Sequence, residues 1–105
     1  MTIQQREEIV HRIVGRHPTP TGLTLSEARA VANEIKSALV AAGANQEDLE
    51  WVIRALLSPL IDGSSLLGWK DRALSIEALA VGFGVRIEPV KGPGASYRVA
   101  FLTHH

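Results

Sequence analysis

Val85-Arg86-Ile87-Glu88-Pro89-Val90, then Lys91-Gly92-Pro93-Gly94-Ala95, then Ser96-Tyr97-Arg98-Val99-Ala100-Phe101 form the stretch on which the fold turns. Val85, Ile87 and Pro89 alternate with Arg86, Glu88 and Val90, and Tyr97, Val99 and Phe101 alternate with Arg98 and Ala100. Alternation of this kind, interrupted by a Gly/Pro cluster, predicts two strands, at about 85–90 and 96–102, joined as a hairpin. If Lys91–Ala95 is the loop, Val85 faces Phe101, Ile87 faces Val99 and Pro89 faces Tyr97, all on one side. The other side then sets Glu88 beside Arg98 as a cross-strand ion pair.

A hairpin alone is marginal in water, so its apolar face needs helices to cover it. Thr2 and Gln5 have the form of a capping box, and Ile9, Val10, Ile13 and Val14 follow at helical spacing, which predicts a helix over about 3–16. His17-Pro18-Thr19-Pro20 cannot continue it. A second box, Thr24 with Glu27, opens a helix over about 25–42, with Ala28, Val31, Ala32, Ile35 and Leu39 on one face. Asn45 as N-cap and the stripe Leu49, Val52, Ile53, Leu56, Leu57 predict a third over about 46–58. The short connection Gly43-Ala44-Asn45 suggests that the second and third helices pack as an antiparallel hairpin.

Asp62-Gly63-Ser64-Ser65 reads as a turn, and 66–70 has no clean period. A fourth helix is expected over about 71–81, with Leu74, Ala78, Leu79 and Val81 inward and Gly82 and Gly84 ending it. The fold class that results is α+β: three to four helices packed against a C-terminal two-stranded antiparallel β-hairpin, in a single domain over 1–105.

Composition narrows the function classes. At 105 residues, with 46% hydrophobic and 21% charged residues, the chain matches an ordinary globular domain with one core. It has no cysteine, which excludes disulfides, thiolate catalysis and cysteine-ligated metals. No signal-length or membrane-length apolar run occurs, so a cytoplasmic location is expected. Eleven basic and eleven acidic side chains cancel, unlike the strongly basic footprint of a dedicated nucleic-acid binder.

Catalytic signatures are missing. Ser64-Ser65 lies in a turn with no nucleophile elbow, and Glu47, Asp48 and Glu50 open a helix, where the helix dipole accounts for acidic residues. His11, His17, His104 and His105 form no metal-ligating spacing. No enzyme activity, cofactor or metal is expected. Leu79-Ala80-Val81-Gly82-Phe83-Gly84-Val85 resembles the first helix and turn of helix-turn-helix DNA-binding families, but a strand follows where the recognition helix should stand. A winged-helix-like nucleic-acid binder would use Lys70, Arg72, Arg86, Lys91 and Arg98.

The tryptophans point elsewhere. Trp51 lies about 100° around the third helix from its apolar stripe, and Trp69 falls in the unpatterned stretch. Either 64–70 folds back so that the two rings pack together, or they mark a partner surface, since Trp is enriched in interface hot spots. In the second case Glu47, Glu50 and Arg54 would form its polar rim.

Arg6-Glu7-Glu8-Ile9-Val10, with Val14 and His17-Pro18 after it, resembles the start of small accessory proteins of actinobacterial phages. The resemblance covers about the first sixth of the chain and carries over no functional residue. It implies a small protein acting in a bacterial cytoplasm. The leading expectation is a non-enzymatic module that binds a protein partner or itself through Trp51, Trp69, Glu47, Glu50 and Arg54. The nucleic-acid binder is the alternative.

Overall fold

The computed structural model describes residues 1–14, 16, 24–57, 76–90 and 96–102. In chain order these form α1 (Ile3–Val14), α2 (Leu25–Ala41), α3 (Gln46–Leu57), α4 (Ile76–Phe83), β1 (Val85–Val90) and β2 (Ser96–Phe101). The architecture is α+β, with the two strands in one antiparallel sheet late in the chain.

Helix starts follow local chemistry. Thr2 N–H donates to Gln5 Oε1 at 2.8 Å and Gln5 N–H to Thr2 Oγ1 at 3.1 Å, closing the box before α1. The Thr24–Glu27 box is likewise complete, at 3.1 Å in both directions. Each satisfies amides that the first helical turn leaves without partners. At the other end of α2, Gly43 takes a φ of +93°, while its N–H donates to the Val40 carbonyl at 3.0 Å and Ala44 N–H to that of Leu39 at 2.9 Å. That pair of bonds is a Schellman cap, whose left-handed residue favours glycine.

The core joins one face of each helix to the inner side of the sheet. Val10, Ile13 and Val14 of α1, Val31, Ile35 and Leu39 of α2, and Leu79 and Phe83 of α4 are buried together with most of α3. Helix α3 is the most enclosed: Val52, Ile53, Ala55, Leu56 and Leu57 are all buried. Each such Leu or Ile contributes roughly 1.5–3 kcal/mol relative to exposure. No helix among the described residues is long and apolar enough to cross a membrane.

The hairpin register is the expected one: Val85↔Phe101, Ile87↔Val99, Glu88↔Arg98 and Pro89↔Tyr97. Val85 is buried, and Ile87, Tyr97, Val99 and Phe101 pack against the core. Pro89, expected on the core face, is exposed, and it is its partner Tyr97 that packs against the core at this level of the sheet. The cross-strand ion pair is also replaced. Glu88 contacts Arg86 on its own strand, at 3.8 Å, and makes no ion pair with Arg98. Side chains two apart on one strand share a face, and here the same-strand neighbour lies closer.

Other boundaries and packings differ. Helix α1 ends at Val14 rather than 16, with Arg16 in a turn whose N–H donates to the Ile13 carbonyl at 3.1 Å. Helix α2 ends one residue inside the expected 42, and residue 58, the expected end of α3, lies outside the described residues. Residues 71–75 of the expected fourth helix lie outside the described residues, and α4 continues through Gly82 to Phe83. Val81 points outward, 56% exposed, while Gly82 and Phe83 are buried in its place.

Gly82 explains this change. A Cβ there would lie 2.9 Å from the Arg29 carbonyl oxygen and 2.9 Å from the Asn33 nitrogen, and would collide with the Ala32 methyl. Only a glycine lets α4 press against α2 so closely. Arg29 Nη2 clamps the same crossing to Glu77 Oε1 at 2.7 Å. Consequently α2 lies closest to α4, not to α3 as the short connection suggests. The helix ends at Gly84, whose φ of +67° turns the chain into β1.

Candidate interaction surface

The surface on α3 begins with its cap. Asn45 N–H donates to Asp48 Oδ2 at 3.0 Å and Asp48 N–H to Asn45 Oδ1 at 2.9 Å, so the two side chains satisfy each other's amides. Arg6 of α1 then reaches across and places Nε and Nη2 on Asp48 Oδ1, at 3.0 and 2.8 Å. The α-amino group of residue 1 lies 3.9 Å from the same oxygen. Only 4% of Asp48 is exposed. Its carboxyl is held below its ordinary value of 3.8, first by the Asn45 amide and then by the Arg6 guanidinium, against the opposing effect of burial.

Arg6 also orients the aromatic group. Its guanidinium carbon stands 4.9 Å from the Trp51 ring centroid, a cation–π arrangement. Trp51 is half-buried, with one part of the ring packed against the core and the remainder open. Around it, Glu47, Glu50, Trp51 and Arg54 line an open depression of 270 Å³. Trp69, the fifth residue of the expected set, lies outside the described residues, as does the segment 64–70 that one of the two expected arrangements folds back over α3.

Arg54 has a further role. Its Nε and Nη2 hold Glu50 Oε1 at 3.0 and 2.9 Å, and its Nη1 donates to the Tyr97 carbonyl at 2.8 Å. It therefore braces α3 against β2, and its charge is largely spent within the fold. Of the rim residues, Glu47 is the most available, being exposed in the first turn of α3.

The alternative set is divided. Arg86 and Arg98 are both exposed on the outward face of the hairpin, where Arg86 is opposite Ala100 and Arg98 is opposite Glu88. Lys70, Arg72 and Lys91 lie outside the described residues. Among the described residues, no group of three or more His, Asp or Glu side chains is placed to hold a metal ion.

Asp48 and Arg6 were missed as a unit by sequence reasoning. Asn-x-x-Asp at the start of an apolar stripe is the signal for the cap, but nothing local tells which cation will cross from another helix. The chain thus belongs to the α+β class, helices carrying a terminal β-hairpin, with a cation-backed tryptophan on one helix. Compared with family models, curated proteins and solved structures, it matches none.

Proposed function

We propose that this protein is a non-enzymatic interaction module that engages another protein, or a second copy of itself, through the α3 surface around Trp51. The observation that carries this reading is the arrangement of Trp51, which lies open in a depression between Glu47 and Glu50 while Arg6 backs its ring. A tryptophan with one side anchored and the other open loses little conformational freedom on binding, which is the property of interface hot spots. Glu47 supplies charge at the rim.

The test compares wild type with Trp51→Ala, Trp69→Ala and Glu47→Arg in self-association and in capture of proteins from a bacterial lysate. Glu47→Arg is the discriminating variant, because an exposed first-turn side chain leaves the core intact. Loss of association in Trp51→Ala and Glu47→Arg, with thermal melting showing both folded, is expected. Unchanged association in all three contradicts the proposal.

The α3 face is favoured over the nucleic-acid reading by charge: Glu88 stands between Arg86 and Arg98 and dilutes the positive face of the hairpin. DNA binding that weakens steeply across a salt series would reverse that preference.

A further inference from the structure

Among the described residues, the outer edge of β1 pairs with no other strand. Leu102 N–H donates to the Gly84 carbonyl at 3.3 Å, which makes Gly84 and Leu102 a hydrogen-bonded pair at the base of the sheet. Antiparallel pairs alternate, so Arg86↔Ala100 and Glu88↔Arg98 are hydrogen-bonded too, while Val85↔Phe101, Ile87↔Val99 and Pro89↔Tyr97 are not. The Tyr97 carbonyl confirms the phase independently, because it points away from β1 and accepts from Arg54. It follows that the backbone N–H and C=O of Val85 and Ile87 point outward from β1. Among the described residues, nothing bonds to them. By contrast, α3 already engages the β2 edge through Arg54.

An open edge is a template for another strand. We propose that the strand it takes is β1 of a second copy of this chain, antiparallel and centred on Ile87. Arg86-Ile87-Glu88 is a charge palindrome: paired antiparallel about Ile87, each Arg86 stands opposite the Glu88 of the second copy. The two Ile87 residues exchange both backbone hydrogen bonds, whereas Val85, only 4% exposed, lies outside the joint. Pro89 has no N–H to offer at this edge, so the pairing stops there rather than extending towards the tip.

The side chains are available for this. Arg86 is 68% exposed and its contact with Glu88 on its own strand is long, at 3.8 Å. Ile87 is only half-buried, and would be covered by its twin. The joint is isologous, so it closes at two copies and gives a four-stranded sheet with both sets of helices on one side. Its small area makes it a weak dimer. This surface is separate from the α3 depression and does not depend on it.

Sedimentation equilibrium of the full chain, from about 10 μM to about 1 mM, tests the pairing. Wild type should approach twice the monomer mass at the upper end. Arg86→Glu places like charges opposite each other in both halves of the joint and should weaken association about tenfold. Glu88→Arg should do the same, and the two single variants mixed together should associate again. The double swap Arg86→Glu/Glu88→Arg restores the palindrome in reverse and should dimerise like wild type. Circular dichroism melts show whether each variant remains folded, and protection of the Ile87 amide from exchange at high concentration reports the edge itself.

A wild type that stays monomeric throughout overturns the proposal. So does a dimer that Arg86→Glu leaves intact, or one in which folded double swap fails to associate. A dimer abolished by Trp51→Ala and untouched by Arg86→Glu would overturn this pairing while supporting the α3 surface. Capture of an extended segment of another protein at the Ile87 edge, without self-association, would also overturn it.

Discussion

Replacing Asp48 with Asn, which keeps the side-chain shape and removes the charge, should destabilise the protein strongly at neutral pH. Asp48 Oδ1 accepts two bonds from Arg6, at 3.0 and 2.8 Å, and Oδ2 accepts the Asn45 amide. Breaking a buried ion pair costs about 3–5 kcal/mol when the remaining charge is trapped. Arg6 keeps its place over Trp51 and its side chain is 14% exposed, so the lower end applies, about 3 kcal/mol. For a domain of this size that is a fall in Tm of about 12–24 °C.

Urea unfolding at a series of pH values gives the decisive form of the experiment. The Asp48 carboxyl is held below its ordinary 3.8 in the folded protein, so the stability it contributes is present above that value. It is lost as pH falls through the lower folded value. The gap between wild type and Asp48→Asn should therefore be constant from pH 7 to about 5, shrink below about 4 and close at still lower pH. A gap that persists unchanged into strong acid would show that the cost is steric. A gap under about 1 kcal/mol at neutral pH would refute the buried-pair reasoning altogether.

Three further outcomes follow from the packing. Gly82→Ala inserts a methyl against the Arg29 carbonyl and Asn33 nitrogen, and should cost about 1–3 kcal/mol in chemical unfolding despite the better helix propensity of alanine. Thr24→Ala removes half of the α2 capping box and should cost about 1 kcal/mol by the same assay. Arg54→Met keeps the stem but loses the bond to the Tyr97 carbonyl, and should speed amide exchange in β2 more than in α2.

The parts of this fold that could be read from sequence are those settled by neighbours in the chain. The hairpin register rests on alternation and loop length, both local, and Thr2–Gln5 and Thr24–Glu27 close their boxes within one turn. What escaped depends on partners distant in sequence. Gly82 has the appearance of a helix stop, yet its lack of a side chain serves the crossing with Ala32, and this carries Val81 outward and Phe83 into the core. Pairing of α2 with α4 follows from the same crossing, which no connection length between α2 and α3 reveals.

The candidate surface divides along the same line. Trp51, Glu47, Glu50 and Arg54 lie within helical reach of one another, so their common depression is foreseeable from spacing. The use of Arg54 as a brace is not, because the Tyr97 carbonyl arrives from a strand far along the chain. Arg6 is likewise invisible from α3, although it both pairs Asp48 and backs the Trp51 ring.

The claim that α3 carries the functional surface is tested most directly by site-specific photo-crosslinking. A photoreactive residue at position 47, on the rim of the Trp51 depression, is compared with one at position 37, exposed on the outer face of α2. Crosslinked adducts of defined mass should form from position 47, be lost in a folded Trp51→Ala background, and be absent from position 37. Equal crosslinking from both positions, or adducts at 47 that survive Trp51→Ala, would contradict the account.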